Sequence, residues 1–204
     1  MHFFFTETFF ILFKRIIFKH KIMYKTIKIA VLFTFLSSFV YLPIWKEYQN
    51  YEGRFSIQLP SEEVQTKVIP IKTAIGDLEE HSFFQVPPSS DAENKFYQVT
   101  YIDYPAGTFH RDSTELRELF YQISIESAAA RLGGKVLYSD NIEMQTVKGK
   151  VWRIDYNRGN SVMKTRAFLF GDRFFTVSVA TQKARSRNLE MEKFLESFKF
   201  LTMK

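Results

Sequence analysis

The sequence predicts an α+β domain, an antiparallel β-sheet covered by helices on both faces in an α/β/α sandwich, behind an N-terminal leader. Three observations predict it. Strands in the second half are joined by turns too short for anything but antiparallel neighbours. Several strands are apolar on both faces, as in a sheet buried from both sides. Two stretches carry helical apolar spacing, one in mid-chain and one near the end. The 23 Phe and 10 Tyr of the 204 residues are enough to fill such a core.

The leader comes first. Residues 29–45 read IAVLFTFLSSFVYLPIW without a charge and follow Lys25 and Lys28, the order of a basic n-region and an apolar h-region. A helix of that length reaches roughly 25 Å, at the short end of what spans a bilayer. Ser37 and Ser38 are adjacent, so no small-x-small cleavage triplet follows the apolar run, and Tyr41 and Trp45 stand where an interfacial aromatic belt would lie. Residues 23–44 therefore read as a signal peptide or a single-pass anchor. In either case the positive-inside rule puts the domain outside the cytoplasm, periplasmic or secreted, or held at the inner membrane. Residues 1–22 precede a signal already complete from Met23 and read as a miscalled start; the rival is a membrane-surface segment between Phe3 and Phe18. The domain itself is assigned to 45–204.

The same segment decides the meaning of the charge. The chain is basic, with 28 Lys and Arg against 22 Asp and Glu, but six of those bases and only one acid, Glu7, fall in residues 1–44. The remainder is nearly neutral, with acids and bases interspersed, so it has no electrostatic footprint for nucleic acid. Zero cysteines exclude a disulfide scaffold, a thiol nucleophile and a cysteine-based zinc site.

Along the domain, Phe55, Ile57 and Leu59 alternate with Arg54, Ser56 and Gln58 before Pro60, a half-buried strand. Strands follow at 64–71 and 76–86, a loop at 87–91, and a strand at 95–104 that is apolar or aromatic on both faces. Asp112 with Glu115 forms a capping box that opens a long helix. Leu116, Leu119, Phe120, Ile123 and Ala130 mark its buried face, and Gly133-Gly134 stop it. Next come a strand at 135–146, a turn at Lys148-Gly149, a strand at 151–157, a turn at 158–160 and a strand at 161–170. Gly171-Asp172 makes a two-residue hairpin into a strand at 173–181. Asn188 caps a last helix from Leu189 to Ser197, with Met191, Phe194, Leu195 and Phe198 inward.

Five phrases in this order resemble exported bacterial domains of the PsbP-like superfamily, named for an extrinsic lumenal subunit of photosystem II. They are Gly53-Arg54-Phe55-Ser56-Ile57 closing at Pro60, Tyr97 to Pro105, Gly149 to Arg153, Phe170 to Phe175, and Phe194 to Phe198. The resemblance covers roughly residues 50–201 and implies an α/β/α sandwich whose relatives are mostly noncatalytic binding or assembly factors, among them a nuclear import factor that binds a small GTPase. These phrases pack and turn; none carries chemistry, and no binding residue is carried over.

The chemistry-bearing residues are few. Glu79 and His81 share a strand face, but a divalent site needs three or more ligands, so a solvated edge pair is expected and no metal or cofactor. Phe109-His110-Arg111-Asp112-Ser113 holds the residue types of a hydrolase triad, yet triad members converge from separate segments and no Gly-x-Ser-x-Gly elbow is present. Two candidate binding groups remain. Tyr101, Asp103 and Tyr104 end a strand beside a loop, a common recognition surface. Trp152 and Arg153 offer an aromatic and a guanidinium, both favoured at interfaces. The expected function is a noncatalytic domain binding a protein or small ligand; the alternatives are a hydrolase with a site assembled from distant residues and a structural or assembly subunit of an envelope complex.

Overall fold

The computed structural model describes residues 45–73, 75–110 and 113–201. The leader, the choice between Met1 and Met23, and the Asp112 cap lie outside them. Among the described residues no helix is long and apolar enough to cross a membrane.

The strands are β1 (Lys46–Asn50), β2 (Phe55–Leu59), β3 (Gln65–Thr73), β4 (Gly76–Gln85) and β5 (Phe96–Asp103), then β6 (Lys135–Met144), β7 (Val147–Tyr156), β8 (Ser161–Phe170), β9 (Arg173–Gln182) and β10 (Lys199–Phe200). Helix α1 (Thr114–Leu132) separates β5 from β6, and α2 (Leu189–Ser197) follows β9. A seven-stranded antiparallel sheet runs in the order β3-β4-β5-β9-β8-β7-β6, and a three-stranded one in the order β1-β2-β10.

This overturns the expected helix-covered sandwich: among the described residues the domain is mostly β, two antiparallel sheets with only two α-helices. One face of the large sheet packs on the small sheet together with the 9-residue α2. There Phe55 and Ile57 of β2 meet Tyr97, Val99, Phe175, Val177, Phe194 and Phe198 in one core. The physical reason for the miss lies in the second sheet's outer strands. β1 reads KEYQN and is largely exposed, while β10 is two residues long; neither carries an apolar alternation. Both pair with β2, which makes β2 a central strand; Ser56, expected toward solvent, is 1% exposed.

The opposite face holds a second core, in which Trp152, Ile154, Ala167, Leu169 and Phe174 pack beneath Tyr121, Ile125 and Ala129 of α1. The strand period separates the two cores cleanly: Phe168 and Phe175 face one, Leu169 and Phe174 the other. Here the helix face is corrected as well. Leu116, Leu119 and Ile123 are exposed, at 44%, 52% and 53%, and the buried stripe is Tyr121, Ile125, Ala129. Tyr121 can point inward because its hydroxyl is satisfied there, donating to the Lys148 carbonyl at 3.3 Å and accepting from the Leu169 amide at 2.9 Å. The helix starts at Thr114 with Ser113 in the N-cap position and no side-chain cap bond. It stops as expected at Gly133, left-handed at φ 57°. Asn188 caps α2, accepting from the Met191 amide at 2.7 Å.

The β6–β7 turn is displaced from Lys148-Gly149 to Gln145-Thr146, both at positive φ, 47° and 69°. Gly149 lies inside β7 because a Cβ there would stand 2.2 Å from the Ala167 carbonyl oxygen. The glycine serves close strand packing, not a turn.

Candidate functional site

Tyr101 sits in the middle of β5 with β4 on one side and β9 on the other, paired in register with His81 and Phe175. Its ring stacks on His81 at 4.5 Å between centroids and 8° between planes. From β9 the Arg173 guanidinium lies 4.3 Å from the ring centroid, a cation–π contact. Only 1% of Tyr101 is exposed, and burial, aided by Glu52, pushes its phenol up to about 12. Tyr101 is thus a structural layer between a histidine and an arginine. His81 is half-buried and stands 3.7 Å from Glu79.

Asp103 and Arg173 form the next rung, Nε to Oδ1 at 2.5 Å and Nη2 to Oδ2 at 2.6 Å, a bidentate pair. Nη1 of Arg173 also donates to the Glu52 carbonyl at 2.8 Å, tying the β1–β2 loop to the sheet end. The Asp103 hydrogen bond holds the guanidinium above its ordinary value.

Tyr104 turns the chain toward α1. Its ring meets Phe109 and Phe120 edge-on at 5.2 Å and 5.4 Å, and its amide donates to the Asp172 carbonyl at 2.9 Å. Burial raises its phenol. The following loop is pinned by the Asp172 carboxylate, which accepts from the amides of Gly107 at 2.9 Å and Phe109 at 3.0 Å. The Phe109 and Gly107 amides hold this carboxyl below its usual range. The β8–β9 hairpin and the loop before α1 therefore behave as one rim.

Behind that rim opens a groove of about 1640 Å³, reached by Asp103, Tyr104, His110, Arg117, Tyr121 and Lys148, and floored in part by Gly149 and Leu169. Five separate segments build it: the β1–β2 loop at Arg54, the end of β5 with the loop after it, the start of α1, the β6–β7 hairpin and the β8–β9 hairpin. Burial pushes the Tyr121 phenol up to about 12, against the Leu169 amide and the nearby Arg117, which pull it down. Glu118 pairs with Lys150 of β7 at 2.6 Å.

Of the five residues singled out in the sequence, Asp103 and Tyr104 line this groove. Tyr101, Trp152 and Arg153 do not. Trp152 is 2% exposed beneath α1, and its indole N–H has no hydrogen-bond partner among the described residues. Arg153 projects from the other face of β7 and pairs with Asp155 at 3.0 Å, which Lys183 also meets at 3.0 Å. Burial raises the Asp155 carboxyl, but the hydrogen bonds from Lys183 and Arg153 outweigh it and leave it lowered. His110 is exposed at the groove mouth. Among the described residues no three His, Asp or Glu side chains gather as a metal site would require. Arg117, Lys148, Asp172 and Arg173 were not singled out as site residues; Lys148 and Asp172 carried turn signals, at Lys148-Gly149 and Gly171-Asp172, and Arg173 lies in the Phe170 to Phe175 phrase.

No protein-family profile matches the chain, and no curated protein does. Among solved structures it is similar to cyanobacterial PsbP (CyanoP) from Synechocystis sp. PCC 6803, at 10% identity and a TM-score of 0.49, over 80% of this chain and 96% of that one. It is also similar to PA94 of Pseudomonas aeruginosa, a protein of unknown function, at 12% identity and a TM-score of 0.37, over 69% of this chain and 85% of that one. The first of these bears the name of the superfamily that the five sequence phrases resemble. Both TM-scores fall below 0.5, and neither likeness carries an inference about activity.

Proposed function

We propose that this chain is a noncatalytic extracytoplasmic domain, secreted or held at a membrane by residues 23–44, that binds a protein or small ligand in the groove between α1 and the end of the large sheet. The observation that carries the reading is the groove's construction. Its Asp103 and Asp172 carboxylates are committed to structure, one to Arg173 and one to the amides of Gly107 and Phe109, which makes the end of β5 and the β8–β9 hairpin a rigid rim for recognition. The apolar run after a cluster of six bases supports export.

Cell fractionation with N-terminal sequencing of the mature protein tests the placement. A product in the envelope or secreted fraction supports the reading, and one beginning shortly after residue 38 marks a cleaved signal. A cytosolic product that begins at Met1 contradicts it. Pull-down from the envelope fraction, with the groove variants described below as controls, then tests the binding role.

A further inference from the structure

Building on the groove as the binding site, we propose that its occupant is an extended acidic segment of a partner protein. Size argues first. At about 1640 Å³ the groove exceeds the roughly 300 to 1,000 Å³ typical of small-molecule pockets. Its shape is open, so a chain segment can lie along it and leave at either end.

Such a segment also finds backbone to pair with. Among the described residues β6 is a terminal strand of the large sheet, paired with β7 and no other, and its residues Asn141 to Glu143 line the groove. Among the described residues no strand pairs with the other edge of β6, so its N–H and C=O groups are a template for an extended polypeptide. The other terminal strand, β3, lacks this quality: Pro70 interrupts its donors and Lys67 and Lys72 guard it.

The third argument is charge. The formal charges lining the groove cancel, but their availability does not. Asp103, Glu118 and Asp172 are engaged by Arg173, by Lys150 and by backbone amides. Arg54, Arg117 and Lys148 line the same groove and form no ion pair among the described residues, against Glu143 alone on the acidic side. The Arg117 Nε is buried with no hydrogen-bond partner among the described residues. Arginine and lysine side chains without an ion partner take a carboxylate through charge-assisted bonds. Because the net field is close to neutral, recognition is local, through placed donors.

The test is fluorescence anisotropy of the full chain in detergent with labelled oligoglutamate, oligolysine and a neutral serine-glycine peptide of equal length. Saturable binding of oligoglutamate alone is expected. Arg117→Gln with Lys148→Gln should weaken it about tenfold, the scale of one lost charge-assisted bond, and Glu143→Gln should tighten it. If the Arg117 variant fails to fold by circular dichroism, Lys148→Gln alone, at an exposed strand position, carries the comparison with Glu143→Gln. Equal binding of the neutral peptide, or unchanged affinity in the charge variants, overturns the proposal. Binding of anionic vesicles or pyrophosphate in place of the peptide overturns the polypeptide assignment. A cytosolic location would remove the export reading and leave these titrations intact, so the two fail separately.

Discussion

Arg173 meets Asp103 edge to edge across β9 and β5, with Nη2 2.6 Å from Oδ2, while the same guanidinium covers the Tyr101 ring at 4.3 Å. One side chain thus joins β5 and β9 of the large sheet to the β1–β2 loop, through the Glu52 carbonyl.

Arg173→Lys keeps the charge but loses the planar fork, so it should cost about 1 to 2 kcal/mol, at the lower end because Asp103 is partly exposed. Urea unfolding measures it. A neutral result would mean that the bidentate pair contributes nothing beyond its charge.

Gly149→Ala should destabilise the domain by about 2 kcal/mol or more, as overpacking does, because the new Cβ would fall 2.2 Å from the Ala167 carbonyl and 2.5 Å from Phe168 Cδ1. Thermal unfolding of this variant reads the effect. An unchanged midpoint would place Gly149 back in a turn.

The two apolar stripes of α1 predict opposite outcomes. Ile125→Ala removes a buried side chain and should cost about 2 to 4 kcal/mol. Leu119→Gln and Ile123→Gln alter exposed positions and should stay within about 0.5 kcal/mol of the native chain. Chemical denaturation of the three variants decides which face packs.

Asp155 and Asp172 both titrate below the ordinary carboxylate value. A carboxyl whose folded pKa is depressed stabilises the fold above the unfolded value of about 3.9 and loses that contribution as pH falls through the lower folded value. The domain should therefore weaken on acidification from about pH 5 downward. Asp172→Asn and Asp155→Asn should each be less stable at neutral pH and show a shallower acid slope, measured as urea midpoints across pH.

How much of this could be read in the sequence depended on whether a residue's signal was local. β2, β5, the Gly171-Asp172 hairpin and the Asn188 cap were readable because alternation, a turn dipeptide or a cap lies within a few residues. β1 and β10 were not, since their pairing with β2 is settled by cores contributed from elsewhere. The inward face of α1 was misread because Tyr121 packs there with its hydroxyl satisfied by β7 and β8, while Leu116, Leu119 and Ile123, the more apolar set, face outward. The turn at Gln145-Thr146 was hidden by the absence of glycine where positive φ occurs. In the groove, Asp103 and Tyr104 were visible as a strand end beside a loop. Arg117, Lys148 and Asp172 were not, because they converge from three distant segments and the turn signals at Lys148 and Asp172 say nothing of what those side chains face.

The most direct test of the account places a photocrosslinking amino acid at His110, on the groove mouth, and at Ile123, on the outward face of α1, in the full chain expressed in its own cells. A specific adduct is expected from His110, lost in the Arg117→Gln, Lys148→Gln chain, and none from Ile123. Adducts from Ile123 with none from His110 would move the binding surface to the helix and contradict the assignment of the groove.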